Sequence, residues 1–186
     1  MISSWRLCLT GVDAATGTQA WQTSVFAQGR PERAIGSPIA VGELIIANCA
    51  FVNNPKHVVA LRPDGRGGMQ EAWRLEQTVP HVTTVLAIDG RAYLWSDQGI
   101  VTCVRLTDGK QVWQQRVSRD TFGSPVATAG KLFAVDKNGT VNVLALGDTH
   151  ELLGKNELGE LCQSTPAIAG GRMFIRTWEH LHAIGQ

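Results

Sequence analysis

The sequence predicts an all-β protein made of repeated four-stranded antiparallel units, and three observations lead to that prediction. Glycine turns recur at a nearly constant spacing, tryptophans recur in step with them, and apolar and polar residues alternate between the turns. Alternation at period two is typical of a half-buried strand, whereas no stretch shows the 3.6-residue period of an amphipathic helix. We therefore expect strands throughout the chain and place no helix.

The first repeated segment is a Ser-Pro or Thr-Pro pair that leads through a short strand into a glycine turn. It occurs three times, and a fourth copy at residues 82–93 keeps the turn but lacks the proline. The pairs are Ser37-Pro38, Ser124-Pro125 and Thr165-Pro166, and the turn glycines are Gly42, Gly90, Gly130 and Gly171. The period is about 40 residues, which is typical of a repeat architecture. Because the hydroxyls recur once per repeat, we interpret them as structural and not as nucleophiles.

A tryptophan follows a second turn in three of the repeats. These residues are Trp21, Trp73 and Trp113. The first and the last of them follow Gly17 and Gly109 closely, and in the final repeat Leu153 occupies the place where a tryptophan is expected. Residues that recur at the repeat period are typical of packing between repeats. We therefore predict a structural role for these tryptophans.

Each period divides into about four short strands. The clearest set is 124–128, 131–136, 140–146 and 150–158, and the pairs Asp89-Gly90, Ala129-Gly130 and Gly170-Gly171 are typical of two-residue hairpin turns. Four antiparallel strands in about 40 residues indicate a β-propeller blade. We predict one propeller segment over residues 1–186, with approximate blades at 1–35 (partial), 36–80, 81–120, 121–162 and 163–186 (partial).

The composition excludes some classes of partner. The chain has 186 residues, and 17 Lys and Arg balance 16 Asp and Glu, so no net charge favours nucleic acid or an anionic membrane. A hydrophobic share of 44% is enough to build a sizeable core. No apolar run approaches the roughly 20 residues of a transmembrane helix, and the N-terminal residues as written do not form a signal peptide.

The Gly-x-x-x-Trp spacing at 17–21 and 109–113, followed by the Ser-Pro segment that opens the next blade, resembles the PQQ-like repeat. That family, the quinoprotein alcohol dehydrogenase-like superfamily, includes dehydrogenases and the non-enzymatic BamB-like assembly factors, and the resemblance covers nearly the whole chain. It implies a periplasmic or cell-envelope location. It also implies that Trp21, Trp73 and Trp113, with Gly17 and Gly109, dock neighbouring blades onto one another.

The cysteines bear on whether the chain resembles the enzymes or the assembly factors. The dehydrogenases of the family hold PQQ under a pair of adjacent, disulfide-bonded cysteines and beside a calcium ion. Here Cys8, Cys49, Cys103 and Cys162 are all far apart in sequence, which leaves their disulfide status open. We assign no catalytic, cofactor-binding or metal residues and expect a non-catalytic scaffold or protein-interaction module. PQQ and calcium are expected only if the chain is part of a dehydrogenase whose cofactor residues lie elsewhere, and a propeller that senses a small molecule is a third alternative.

The histidines and acidic residues give no clear site. His180 and His182 alternate on the last strand, a spacing that can bind zinc or copper, but no third ligand is evident nearby and ordinary strand residues are favoured. His57 and His81 are interpreted as loop residues. The acidic residues Asp136, Asp148, Glu157 and Glu160 are interpreted as turn and surface carboxylates.

The ends of the chain raise the question of assembly, since propellers of this family close with seven or eight blades. We expect the chain to open in a third strand at 5–12 with a closing strand at 19–26, and to end in a third strand at 180–184. The predicted strand counts are therefore two, four, four, four and three. The partner is either the remaining blades of a longer propeller, which we favour, or a second copy that completes an eight-bladed ring. A separate protein partner is expected through the rim loops.

Overall fold

The computed structural model describes residues 2–5, 8–25, 33–50 and 56–185. All the regular structure in these ranges is β, with eighteen strands arranged in five antiparallel sheets. The prediction of an all-β propeller segment is confirmed. No helix in the described part of the chain could cross a membrane.

Each sheet is a meander in which strands that are neighbours in sequence are neighbours in space. The first sheet contains β1 (Ile2–Trp5), β2 (Cys8–Val12) and β3 (Gln19–Ser24), and the second contains β4 (Ile39–Val41), β5 (Leu44–Cys49), β6 (His57–Pro63) and β7 (Met69–Leu75). The third contains β8 (Leu86–Ile88), β9 (Arg91–Trp95), β10 (Ile100–Arg105) and β11 (Gln111–Arg116). The fourth contains β12 (Val126–Thr128), β13 (Lys131–Val135), β14 (Thr140–Ala145) and β15 (Leu152–Glu157), and the fifth contains β16 (Ala167–Ala169), β17 (Arg172–Arg176) and β18 (Leu181–Ile184).

The first sheet has three strands, so the predicted count of two is wrong. Trp5 pairs with Cys8, which makes β1 and β2 an antiparallel hairpin where a single strand over 5–12 was expected. The sequence hides this hairpin because Arg6 and Leu7, between the two strands, are not turn-forming residue types. The predicted extension of the next strand to Phe26 lies outside the described residues.

The hairpins that join the first two strands of the third, fourth and fifth sheets have the predicted two-residue turns. Both turn residues have positive φ in each case: Asp89 (50°) and Gly90 (75°), Ala129 (48°) and Gly130 (71°), and Gly170 (55°) and Gly171 (74°). Positive φ at both positions matches the right-handed twist of the flanking strands. The turn chemistry therefore sets the register of each of these hairpins.

The hydrophobic core is divided among the interfaces between successive sheets. Ile46, Val58 and Ala60 of the second sheet pack with Leu94 and Val104 of the third in one cluster of buried side chains. Similar clusters join the first sheet to the second and the third to the fourth. The cluster between the fourth and fifth sheets is small, with Val135, Val141, Cys162 and Ile175 as its buried members. Each sheet therefore depends on its neighbour for burial.

Three of the four cysteines belong to these interfaces. All four lie within the described ranges and none forms a disulfide, and Cys49, Cys103 and Cys162 are buried. Burial raises the pKa of the Cys103 thiol to about 11, so this thiol stays protonated at neutral pH. The three buried cysteines serve as small side chains of the core.

The Ser-Pro and Thr-Pro hydroxyls link the sheets in series. The Ser37 N–H donates to Thr84 Oγ1 at 3.0 Å, and the Thr84 N–H donates to Ser124 Oγ at 2.9 Å. The Ser124 N–H in turn donates to Thr165 Oγ1 at 2.9 Å. The hydroxyls of Thr84, Ser124 and Thr165 thus each accept a bond from the equivalent residue of the preceding sheet, and Thr84 does so even though Val85 replaces the proline.

Ser124→Ala removes the hydroxyl that accepts the Thr84 N–H, and we expect the free energy of unfolding to fall by about 1 kcal/mol. Urea denaturation of the full chain measures this change. Ser37→Ala is the matched control, because Ser37 Oγ has no hydrogen-bond partner among the described residues. Equal losses in the two variants would show that the serial bonds do not stabilise the fold.

Candidate functional site

Trp73 joins the second sheet to the third. Its Nε1 donates to the Leu106 carbonyl at 2.7 Å, and its side chain is buried. Gly109 lies directly beneath the ring, where a Cβ would stand 2.8 Å from the nearest ring carbon, and its φ is +68°. Both the contact and the backbone conformation therefore require glycine at this position.

Trp113 occupies the corresponding place between the third and fourth sheets. Its Nε1 donates to the Gly147 carbonyl at 3.1 Å, and the N–H of the same glycine donates to Tyr93 Oη at 2.9 Å. The indole ring packs against Tyr93 at 6.0 Å between centroids and edge-on against His150 at 5.4 Å. A single turn of the fourth sheet thus holds two aromatic side chains of the third.

Trp21 and Gly17 have different surroundings. Trp21 packs on the core between the first and second sheets, and its ring lies against Gly11, its partner on β2. Gly17 has a φ of +73°, but no heavy atom lies within 4 Å of the place a Cβ would take. In the described part of the chain Gly17 contacts no tryptophan, so only its backbone conformation accounts for the glycine there.

The strand register places Gly154, not Leu153, at the tryptophan position of the fourth sheet. Trp73 pairs with Ala60 and Trp113 with Cys103, and in both cases the outer strand has a β-bulge directly before the tryptophan. In the fourth sheet the bulged residue of the outer strand is Leu153, and Gly154, directly after it, pairs with Val143. The turn before β15 is one residue longer than the turn before β11, which is why counting from the repeat period gave Leu153.

Trp73→Ala removes a buried indole and its hydrogen bond, and we expect the free energy of unfolding to fall by about 3–5 kcal/mol. Denaturant titration of the full chain measures the loss. Trp178→Ala is the matched control, because that side chain is 74% exposed, and we expect a change within about 0.5 kcal/mol. A small loss for Trp73→Ala would mean that the indole does not dock the two sheets.

The turns between second and third strands and the segments that connect successive sheets lie on one rim, which we call the connector rim. It includes the turns 96–99, 136–139 and 177–180 and the connectors 76–85, 117–125 and 158–166. Backbone hydrogen bonds tie them together: the Thr121 N–H donates to the Asp97 carbonyl, and the Trp178 N–H donates to the Leu161 carbonyl, both at 2.9 Å. The rim is therefore a continuous hydrogen-bonded surface.

Asp97 organises a polar cluster on this rim. Its Oδ1 accepts the backbone N–H of His81 at 3.1 Å and of Val82 at 3.0 Å, and its Oδ2 lies 3.2 Å from Lys56 Nζ. Burial lowers the pKa of His81 against the attraction of Asp97. His57, which the sequence placed in a loop, is instead the first residue of β6 and is buried. The sequence did not predict that His81 meets Lys56 and Asp97.

Glu160 organises a second cluster, on the fifth sheet. Its carboxylate contacts His180 Nδ1 and accepts hydrogen bonds from Thr177 Oγ1 at 2.7 Å and from the Glu179 N–H at 3.1 Å. The Thr177 hydroxyl contributes most to lowering the pKa of the Glu160 carboxyl, from its ordinary value of 4.5 to about 2. The carboxylate thus fastens the 177–180 turn to the connector before it.

The same cluster bears on the predicted His-x-His pair. Glu160, Glu179 and His180 carry possible metal-ligand atoms within 4.8 Å of one another, so the structure supplies neighbours of His180 that the sequence did not reveal. His182 stands apart from this group, with its Nε2 3.2 Å from Thr177 Oγ1 and its ring 6.2 Å from the His180 ring. Since Thr177 and a backbone N–H already bond the Glu160 carboxylate, turn stabilisation accounts for the cluster.

Apolar side chains are exposed beside this cluster. Trp178 is 74% exposed, Leu181 68% and Leu161 51%. Trp178 and Leu161 also line a shallow hollow of about 210 Å³ that includes Ser164 and Arg176. A patch of this kind, bordered by polar residues, is typical of a surface that binds another polypeptide. We call Leu161, Trp178 and Leu181 the Trp178 patch.

Glu160→Gln tests the bonds that hold the second cluster. Because folding lowers the pKa of Glu160, its stabilising contribution is present above pH 4.5 and is lost as the pH falls from 4.5 towards 2. We expect Glu160→Gln to reduce the fall in Tm over that interval, as measured by thermal melts between pH 6 and pH 2.5. Glu151→Gln, at an exposed carboxylate, is the control. An unchanged pH profile in Glu160→Gln would contradict the prediction.

The curated proteins that this chain matches include several outer membrane protein assembly factors named BamB. The outer membrane protein assembly factor BamB of Yersinia pestis is 22% identical over 190 residues, covering 94% of this chain and 44% of that protein. BamB of Escherichia coli strain K12 is 29% identical over 97 residues, covering 46% of this chain and 24% of that protein. The chain therefore spans less than half the length of the curated relatives it matches.

Solved structures share the fold. The crystal structure of BamB from Moraxella catarrhalis superposes with a TM-score of 0.72 at 16% identity, covering 97% of this chain and 55% of that one. A europium-containing methanol dehydrogenase superposes with a TM-score of 0.54 at 14% identity, covering 67% of this chain and 26% of that one. These likenesses show the fold alone, and they extend to both an assembly factor and an enzyme.

One family model matches most of the chain beyond residue 67. The model described as outer membrane protein assembly factor BamB matches residues 68–153 and 97–184, which together cover more than half of the chain. The matched region contains Trp73, Trp113 and Gly109, the residues that join the second, third and fourth sheets. The chain thus belongs to the BamB family of PQQ-like repeat propellers.

Proposed function

We propose that this propeller segment is a non-catalytic scaffold that binds an extended polypeptide at the Trp178 patch. The observation that carries the proposal is the exposure of Trp178 on the connector rim. Tryptophan is among the residues that contribute most to protein–protein affinity, because its large rigid ring buries much area at a small entropic cost. A tryptophan held outwards beside a polar cluster is therefore suited to anchor a partner.

The edge of the fifth sheet supplies the second half of the proposed site. Among the described residues β18 pairs with β17 along one side, and its other side has no strand partner. An exposed edge offers backbone N–H and C=O groups at the spacing of a strand, so an extended segment can add to the sheet. Leu181 begins β18 next to the turn that carries Trp178, which brings the edge and the apolar patch together.

The chemistry of the expected partner follows from these two features. An extended segment with alternating apolar side chains would pair its backbone with β18 and place an apolar side chain on the Trp178 patch. The near-zero net charge of the chain does not select an anionic partner. Because the curated relatives are named outer membrane protein assembly factors, we propose that this role belongs to outer membrane protein assembly, within the cell envelope.

The enzymatic alternative rests on fold likeness to a methanol dehydrogenase. In that case the chain would be a piece of a PQQ-dependent enzyme, with PQQ and calcium held by residues outside it. Adding PQQ and calcium to the protein and following absorbance and dye reduction with alcohol or sugar substrates tests this alternative. Turnover would replace the scaffold proposal.

A second copy of the chain is a competing occupant of the open edge. The eight-bladed ring requires the first and fifth sheets of two copies to combine, and each of these sheets already has three strands. Light scattering of the folded protein measures the assembly directly. A mass near 20.1 kDa would exclude the homodimeric ring, whereas twice that mass would favour it.

Trp178→Ser is expected to weaken peptide binding at least tenfold, because truncating a central tryptophan anchor costs about 2 kcal/mol or more. A library of extended peptides with alternating apolar residues identifies a binder, and fluorescence anisotropy with the labelled binder then measures Kd. Lys110→Ala is the control, since that side chain is 76% exposed and lies on the opposite rim. Recovery of no binder, or equal affinity for Trp178→Ser and the native chain, would contradict the proposed site.

A further inference from the structure

A cleft separates the fourth and fifth sheets. Its volume is about 620 Å³, within the range of small-molecule sites. Its apolar walls are Phe133, Val141 and Val143 on the fourth sheet and Ile168, Met173 and Ile184 on the fifth. We call it the Gly154 cleft, after the glycine on the strand that borders it.

The cleft lies where a tryptophan packs at the preceding interfaces. Gly154 pairs with Val143, and Val143 lines the cleft, as does Asn156, two residues further along the strand. Side chains two apart on a strand share a face, so a side chain at 154 would point into the cleft. A Cβ built on Gly154 meets no heavy atom within 4 Å, which means that the space beside it is open.

Three residues that line the cleft correspond to apolar neighbours of Trp113 at the preceding interface. That ring packs on Tyr93, and Cys103 and Leu132 lie in the same core cluster. The strand registers place Phe133, Val143 and Met173 at the equivalent positions one sheet later, and all three line the cleft. The interface between the fourth and fifth sheets thus keeps these three apolar positions, whereas the residue in the place of the tryptophan is Gly154.

We propose that the Gly154 cleft binds a small planar aromatic molecule of about the size of indole. Apolar cavities left by a missing large side chain bind apolar molecules of matching shape and do not fill readily with water. Asn156, Arg172 and Thr128 also line the cleft and provide hydrogen-bonding groups that can orient a ring nitrogen or a polar substituent. This site is separate from the Trp178 patch and does not depend on the proposed scaffold role.

Indole added to the full chain tests the proposal. We expect saturable binding with a Kd below about 1 mM by isothermal titration calorimetry, because a ligand with few atoms gains only a small binding free energy. In Gly154→Trp the introduced ring occupies the cleft, so we expect at least a tenfold loss of indole affinity together with a higher Tm. Leu153→Trp is the matched control: it adds the same ring one residue away, at a position that does not line the cleft, and its affinity should stay within about twofold of the native value.

A second measurement keeps the test valid if Gly154→Trp fails to fold. Methyl NMR spectra of the native chain should show indole-dependent shifts for Met173, Val143 and Ile184, while Val58 in the core between the second and third sheets stays in place. No saturable binding up to 5 mM, or shifts confined to other methyl groups, would overturn the proposal. Binding of a tryptophan-bearing peptide without binding of free indole would also overturn it, since the occupant would then be a side chain of another polypeptide.

Discussion

Packing of one sheet on the next is the constraint on which the rest of this structure depends. Buried side chains lie between successive sheets, so a sheet by itself would expose much of its apolar surface. The contact of Trp73 with Gly109 shows how the sequence meets this constraint: the outer strand supplies a ring, and a turn of the next sheet supplies a glycine to receive it. Gly109 thus serves the interface before its sheet, whereas Trp113, four residues later, donates to the Gly147 carbonyl and serves the interface after it.

The sequence predicted the parts of the fold that depend on local chemistry. The two-residue turns at Asp89-Gly90 and Ala129-Gly130 could be predicted because positive φ leaves a visible preference for glycine. The hairpin of β1 and β2, in which Trp5 pairs with Cys8, could not be predicted, because neither residue between them is of a turn-forming type. Gly154, and not Leu153, occupies the tryptophan position because the preceding turn is one residue longer. The alternation of apolar residues and the repeat period do not reveal this extra residue.

The polar clusters were harder to predict because their members come from separate repeats or separate loops. Lys56 directly precedes β6 of the second sheet, Asp97 lies in a turn of the third, and His81 of the connector between these sheets donates its N–H to Asp97. Glu160 likewise reaches His180, since the connector before the fifth sheet and its 177–180 turn share a rim. A sequence pattern assigns each residue to its own loop, whereas the meeting of two loops is fixed by the stacking of the sheets.

The proposed cleft can exist because the hydrogen bonds between the fourth and fifth sheets do not require a tryptophan at position 154. Thr165 Oγ1 still accepts the Ser124 N–H, and the Cys162 N–H still donates to the Lys137 carbonyl at 3.0 Å. Gly139 also lies against the Glu160 carbonyl, so the connector packs closely on the turn of the preceding sheet. These contacts hold the inner strands and the connector rim in place, while Gly154 removes only the ring that would fill the outer part of the interface. A repeat protein can therefore lose one packing residue and gain a cavity without losing the arrangement of its sheets.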